Sequence, residues 1–229
     1  MAINAMVFDM DDTLYEEKDY VKSGFKAIDD WMKRDFQVSG FYETALEVFH
    51  SGEKKFVFNK TLKKLNMKID DHLITSIVNY YRSHDPNIHL LDDAKWVFEH
   101  VNNVVKIGLI SDGYLVAQEK KVHALKLREK CHSVILTDKW GKECWKPSQV
   151  AYEQASRELQ LPHDQCVYIG DNVQKDFITA KRLGWTTIYI DRKEGVYAGV
   201  TVEPEYMAHY IIDDLRKLSD LPMLQHMFV

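Results

Sequence analysis

Three carboxylates and a hydroxyl that follow a short apolar run near the N-terminus are the residues best suited to chemistry. Residues 3–8 are mostly apolar and lack Gly and Pro, which predicts a buried strand of a parallel sheet. After it come Asp9, Asp11, Asp12 and Thr13. Carboxylates this close repel each other unless a cation or a proton intervenes. A solvated loop with helix-capping aspartates is the alternative for this stretch taken alone.

Three later segments also place polar side chains where predicted elements begin or end. A parallel sheet brings the carboxyl ends of its strands to one edge, where ligands bind, so these side chains are expected to lie close to Asp9 and Asp11. They are Ser111 and Asp112 after residues 104–110, Lys146 before Pro147, and Asp171 and Asp176 after residues 166–170.

Beyond residue 91 the apolar pattern alternates between helical and strand periods. Strands that alternate with helices indicate parallel βαβ units, so the predicted fold class is α/β. Pro147 suits the first turn of a helix and Gly184 suits the end of one. The predicted strands are 104–110, 133–136, 166–170, 185–190 and 209–212, and the predicted helices are 92–100, 115–125, 147–159, one ending at 183 and a C-terminal one from Asp213.

Residues 18–86 have a different character, because their apolar residues recur only at helical spacing. Pro86 closes this block, since the residue before a proline disfavours helical backbone. We therefore predict an all-helical domain of residues 18–86, inserted after the first strand of an α/β core domain of residues 1–17 and 87–229. An insertion at that point would cover the carboxyl ends of the strands.

The composition of the 229 residues excludes several classes of protein. A net charge of −5 gives no basic footprint for nucleic acid or an anionic membrane, and no apolar run has the length of a membrane span. The three cysteines are an odd number without framework spacing, which is typical of free thiols in a reducing compartment. We expect a cytoplasmic protein that binds neither nucleic acid nor membrane.

The four polar segments together resemble the motifs of the haloacid dehalogenase (HAD) superfamily of hydrolases, over essentially the whole chain. In order they are DMDDT at 9–13, Ser111 at the end of an apolar strand, Lys146 before Pro147, and GDNVQKD at 170–176. The resemblance implies a Rossmann-like parallel sheet with helices on both faces. It also implies that the helical insertion is a C1-type cap domain, as in the C1-capped small-molecule phosphatases of subfamily I.

Asp9 and Asp11 are the predicted reacting residues. A carboxylate such as Asp9 can attack phosphorus to form an aspartyl-phosphate, which divides one difficult displacement into two easier ones. The resemblance makes Asp11 the general acid and base, which protonates the leaving oxygen and later activates water. Because strand alternation alone would put Asp11 on the opposite face from Asp9, the chain is expected to curl after Asp9.

Mg²⁺ is the predicted cofactor, since phosphoryl transfer depends on positioning and charge neutralisation. Asp9 and Asp171 offer the hard oxygen ligands that Mg²⁺ prefers. The family pattern adds the backbone carbonyl of Asp11, and Asp176 is expected in the metal shell or just behind it.

Ser111, Lys146, Thr13 and Asp112 are the predicted substrate-binding residues. Ser111 would hydrogen-bond the phosphoryl oxygens, and Lys146 would neutralise phosphate charge and hold the Asp9 carboxylate. Many relatives have Asn where this chain has Asp112. A carboxylate cannot donate to phosphate, so only the backbone N–H of Asp112 would help, and its side chain is expected to face the cap or solvent.

The predicted function is a Mg²⁺-dependent phosphatase that hydrolyses a small phosphorylated metabolite, with sugar phosphates and nucleotides as the expected substrates. A sugar phosphomutase and a non-catalytic HAD-like binding module are the alternatives. Gly170 stands where mutase relatives often have an acidic residue, which favours hydrolysis. Dehalogenases typically lack the second aspartate, so Asp11 argues against that activity.

Overall fold

The computed structural model describes residues 2–229, which divide into two compact units. One unit is Met1–Glu17 with His89–Val229, and the other is Lys18–Ile88. Within the described residues no helix is both long and apolar enough to cross a bilayer. In chain order the elements are β1 (Ala5–Phe8), α1 (Glu17–Phe36), α2 (Phe41–His50), α3 (Val57–Lys64), α4 (Asp71–Ser83), α5 (Asp92–His100), β2 (Lys106–Ser111), α6 (Leu115–Ala124), β3 (Ser133–Leu136), α7 (Val150–Leu159), β4 (Cys166–Gly170), α8 (Ile178–Arg182), β5 (Thr186–Ile190) and β6 (Tyr210–Ile212).

The first unit is built on one parallel sheet of six strands in the order β3-β2-β1-β4-β5-β6. The central strand β1 is buried along its whole length, as its apolar sequence predicts. Phe8, the last residue of β1, pairs with Leu109 of β2 and Ile169 of β4. This register aligns the carboxyl ends of the three central strands, and the α/β fold class with a parallel sheet is confirmed.

The second unit contains four helices, α1 to α4, around an apolar core that includes Phe25, Ile28 and Phe41. Asp29 is buried on α1, where its carboxylate accepts a hydrogen bond from the Phe41 backbone N–H at 3.1 Å and pairs with Lys33 at 2.6 Å. Asp29 therefore satisfies a free N–H group at the start of α2.

The start of one predicted helix and the whole of another are wrong. The helix predicted from Pro147 begins at Val150, and the Lys146–Pro147 peptide bond that precedes it is cis. The C-terminal α-helix predicted from Asp213 is replaced by 3₁₀ turns at Leu215–Asp220 and Gln225–Met227. Pro222 interrupts that segment, and because a residue before proline disfavours α-helical backbone, an α-helix could not continue through Leu221.

Candidate active site

The chain curls directly after β1, which brings two carboxylates, two residues apart in the chain, to one end of the sheet. Leu14 donates its backbone N–H to the Met10 carbonyl at 3.0 Å, and Asp12 adopts a left-handed φ of 49°. The Asp12 carboxylate accepts backbone N–H bonds from Glu17 at 2.7 Å and Val196 at 2.8 Å. Asp12 thus stabilises the turn from which Asp9 and Asp11 project.

Asp9 lies in a buried network around the ammonium group of Lys146. Lys146 Nζ contacts Asp9 Oδ1, lies 2.7 Å from Asp176 Oδ1 and donates a hydrogen bond to the Tyr168 hydroxyl at 2.8 Å. The side chain of Lys146 is 0% exposed and that of Asp9 is 10% exposed. The structure therefore brings three of the predicted site residues, from three separate segments, into direct contact.

The carboxylates near Asp9 outnumber the cations. Burial raises the pKa of Asp9 to about 7, with Asp176 adding to the rise and Lys146 opposing it. The pKa of Asp171 is raised well above its ordinary value, first by burial and then by Asp9 and Asp176. Lys146 and Lys175 are outnumbered by the buried carboxylates, so this side of the site is short of positive charge.

The donor set fits Mg²⁺, which needs only one or two carboxylates and fills its remaining positions with substrate and water. Asp9 and Asp171 are the side chains whose burial and mutual repulsion a divalent cation would relieve. Among residues 2–229, no group of three or more His, Cys, Asp or Glu side chains is arranged to hold a metal ion. The expected set does not require one, since its third protein ligand is the Asp11 backbone carbonyl.

Both oxygens of Asp176 have protein partners. Oδ1 pairs with Lys146 at 2.7 Å, and Oδ2 accepts a hydrogen bond from the Asn172 backbone N–H at 2.9 Å. A Cβ atom on Gly170 would collide with Asp176 Oδ2, so the absence of a side chain there permits this approach. Asp176 therefore orients Lys146, and its place in the metal shell or just behind it stays a prediction.

Asp11 has its own set of donors. Its Oδ1 accepts hydrogen bonds from Lys121 Nζ at 2.6 Å and from the Tyr15 hydroxyl, and its Oδ2 lies 3.2 Å from Gln118 Nε2. Burial alone would raise the pKa of Asp11, but the ion pair and hydrogen bond with Lys121 outweigh it, and the pKa is lowered. Asp11 is therefore a well-stabilised carboxylate in the absence of ligand.

Asp112 does not face the cap or solvent, so that expectation is wrong. Its side chain is buried, with Oδ1 accepting hydrogen bonds from Thr137 Oγ1 at 2.8 Å and from the Lys146 backbone N–H at 3.1 Å. Oδ2 pairs with Lys175 Nζ at 2.7 Å. Because the surrounding groups are all donors, a carboxylate is better satisfied here than the amide of Asn, and it fixes the loop that carries Lys146.

Two buried hydroxyl groups at the site lack protein hydrogen-bond partners within the described residues, Ser111 Oγ and Thr13 Oγ1. Ser111 ends β2 at the edge where Asp9 follows β1, and it is 1% exposed. A buried hydroxyl without a partner costs free energy unless a ligand or water satisfies it. Ser111 thus fits an oxygen acceptor such as a phosphoryl group. Thr13 is also fully buried, and its contact with substrate stays a prediction.

Sequence reasoning missed several residues of the site, which are Lys121, Gln118 and Tyr15 near Asp11, Tyr168 near Lys146, and Thr137 and Lys175 near Asp112. Gln118 and Lys121 are three positions apart on α6, the helix after Ser111, and such residues share a helix face. That spacing is the signal that could have identified them. Lys175 stands inside GDNVQKD, directly before Asp176.

Comparisons with known proteins show the family and the fold of the chain. A family model described as haloacid dehalogenase-like hydrolase matches residues 6–190. The chain is 27% identical to a glyceraldehyde 3-phosphate phosphatase of Methanocaldococcus jannaschii, with 96% of each chain covered. It is 26% identical to the protein of the same name from Methanopyrus kandleri, with 96% of this chain and 97% of that protein covered. The structure of the magnesium-bound HAD-hydrolase YfnB of Bacillus subtilis matches with a TM-score of 0.68 at 15% identity, covering 96% of this chain and 98% of that one. This match is a likeness in fold.

Proposed function

The chain belongs to the haloacid dehalogenase-like hydrolase family, and from this premise we propose that it is a Mg²⁺-dependent phosphatase of a small phosphorylated metabolite. The observation that carries the proposal is the pair of aspartates at one end of the sheet. Asp9 contacts the buried Lys146, and Asp11 contacts Lys121. One carboxylate can thus act as nucleophile while the other serves as acid and base.

In the first step an oxygen of Asp9 attacks phosphorus and forms a new P–O bond. Asp11 enters this step in its protonated form. The bond between phosphorus and the ester oxygen breaks, that oxygen takes the proton from Asp11, and Asp11 returns to its carboxylate form. In the second step a water attacks the aspartyl-phosphate and gives its proton to Asp11. The bond between phosphorus and Asp9 then breaks, and inorganic phosphate leaves.

The remaining residues bind and orient the reacting groups. Ser111 Oγ donates to a phosphoryl oxygen, and the ammonium of Lys146 orients Asp9 and offsets phosphate charge. Asp176 and Tyr168 keep Lys146 in place. Asp9, Asp171 and the Asp11 backbone carbonyl would hold Mg²⁺, which would supply charge neutralisation for the transferring phosphoryl group.

A short sugar phosphate is the substrate class to test first. Two relatives that align over nearly the whole chain are named glyceraldehyde 3-phosphate phosphatase, and both share about a quarter of their residues with it. The helical unit Lys18–Ile88 is the proposed cap domain, which would exclude bulk water and select small substrates.

The test is phosphate release from a panel of triose, pentose and hexose phosphates and nucleoside monophosphates. Each compound is assayed with Mg²⁺ and with EDTA, using the wild-type chain, Asp9→Asn and the control Asp92→Asn, which alters an exposed carboxylate of α5. We expect phosphate release that needs Mg²⁺ and persists in the control. In Asp9→Asn the rate of release should fall by on the order of 10⁴-fold or more, because the nucleophile is lost.

Two results would contradict the proposal. Release that persists in Asp9→Asn would exclude Asp9 as the nucleophile. Isomerised sugar phosphate without net phosphate release would indicate a mutase.

A further inference from the structure

Lys121 and Gln118 form a pair of donors on one face of α6, and both reach Asp11. Lys121 Nζ lies 2.6 Å from Asp11 Oδ1, and Gln118 Nε2 lies 3.2 Å from Asp11 Oδ2. Lys121 is 4% exposed and Gln118 is 3% exposed. The pair therefore contacts both oxygens of one carboxylate from a single rigid element.

Gln118 is itself fixed at the end of β2. Its Nε2 also donates to the Asp112 carbonyl at 2.5 Å, and a Cβ atom on Gly113 would collide with the same nitrogen. Gly113 has a φ of +128°, which favours glycine. The conformation of this one glycine thus admits the Gln118 amide to the space between β2 and Asp11.

We propose that Lys121 and Gln118 are positioning residues that hold the Asp11 carboxyl group at the angle from which it delivers a proton to the leaving oxygen. This inference rests on the proposed phosphatase function. Lys121 and Tyr15 fix Oδ1, which leaves Oδ2, with its longer contact to Gln118, as the oxygen that carries the transferred proton. An error of about 1 Å in such a group can cost on the order of 10²-fold in rate.

A purely structural ion pair would behave differently from a positioning pair. If Lys121 only stabilised the fold, its loss would lower turnover of all substrates by the same factor. If it positions a proton donor, the loss depends on how much the leaving group needs that proton. An alkyl phosphate needs protonation of its leaving oxygen, whereas p-nitrophenyl phosphate expels a stable anion.

The first experiment compares the two substrates in Lys121→Met and Gln118→Leu. The matched control is Lys126→Met, an exposed lysine just beyond the end of α6. We expect kcat on an alkyl phosphate such as glycerol phosphate to fall about 10-fold or more, and kcat on p-nitrophenyl phosphate to fall less than about threefold. KM should stay within about twofold for both, since neither residue is assigned a substrate contact.

The second experiment is a double-mutant cycle with Asp11→Asn, read on p-nitrophenyl phosphate and glycerol phosphate. If Lys121 acts through Asp11, adding Lys121→Met to Asp11→Asn gives no further loss. Lys121→Arg should restore part of the alkyl phosphate activity, because it keeps the charge. If Lys121→Met does not fold, as judged by thermal unfolding, Gln118→Leu and Lys121→Arg carry both comparisons.

Equal losses on the two substrates, or full additivity in the cycle, would overturn the positioning role while leaving the phosphatase function intact. Failure of the wild-type chain to release phosphate from any substrate would instead refute the proposed function and this role with it. The two failures are distinguished by the wild-type assay alone.

Discussion

Asp9 and Asp11 are two residues apart, and each contacts a buried lysine, yet the pKa values of their carboxyl groups are shifted in opposite directions. The pKa of Asp9 is raised to about 7, chiefly by burial, whereas Lys121 and its hydrogen bonds overcome burial and lower the pKa of Asp11. The difference lies in the neutral donors. Lys146 also pairs with Asp176, and Lys121 also interacts with the nearby Glu17. Asp11, however, accepts further hydrogen bonds from Tyr15 and Gln118.

The two regions therefore have different needs. The region around Asp9 contains more carboxylates than cations, and a divalent cation would complete it. The carboxylate of Asp11 is itself stabilised by protein donors, whereas the pKa of the neighbouring Glu17 is raised. A close lysine by itself does not determine the charge state of a buried carboxylate, because the other charges around both partners contribute.

Replacement of Lys146 is expected to have the largest effect. Lys146→Met leaves Asp9 and Asp176 buried without their shared cation, so we expect a loss of about 3–5 kcal/mol of stability in the metal-free chain. Chemical denaturation measures this loss, and Lys121→Met serves as the comparison with a smaller expected cost, because Asp11 retains Tyr15 and Gln118. Equal costs for the two variants would remove the proposed contrast between the regions.

Mg²⁺ should stabilise the chain more at pH 8 than at pH 6. The pKa of Asp9 in the folded chain, about 7, lies above its ordinary value, so the metal-free folded state gains stability as the pH falls from 8 toward 5. Protons thus compete with the metal at low pH. At 100 times its Kd the ion adds about 2.7 kcal/mol, which thermal unfolding detects.

Asp171→Asn is the matched variant for this measurement and should lose most of the Mg²⁺ effect. A stabilisation by Mg²⁺ that is independent of pH between 6 and 8 would contradict the involvement of Asp9 in the metal site.

Asp112→Asn tests the loop that carries Lys146 and should have a moderate effect. The change keeps one acceptor for the Lys146 backbone N–H but removes the charge that pairs with Lys175, so we expect a loss of about 1–2 kcal/mol. Lys175→Met should cost a similar amount, and the double variant should cost little more than either single one. An Asp112→Asn chain as stable as the wild type would show that the carboxylate is not required there.

Glu17→Gln tests the region around Asp11 and should have the smallest effect, a gain in stability. Burial, and then the nearby Asp11, raise the pKa of Glu17 to about 7, so its charge destabilises the folded state at pH 8. The variant should be about 1 kcal/mol more stable at pH 8, and the gain should vanish near pH 4, where the group is neutral in both states.

Thermal unfolding at several pH values measures this gain, with the exposed Glu99→Gln as control. A gain that persists unchanged at pH 4 would show that the charge of Glu17 is not its cause.

The amino-acid sequence predicts the parallel α/β fold, the strands at Ser133–Leu136 and Cys166–Gly170, and the edge of the sheet that carries Asp9, Ser111 and Asp171. These features follow from local patterns, since neighbouring residues set the apolar periodicity and the strand ends. The partners of the carboxylates depend on tertiary contacts. Lys121 is 110 residues from Asp11 in the chain, and the inward orientation of Asp112 depends on Thr137 and Lys175. A carboxylate takes its charge state and direction from whichever donors the fold brings within about 3 Å, and several of those donors are distant in the chain.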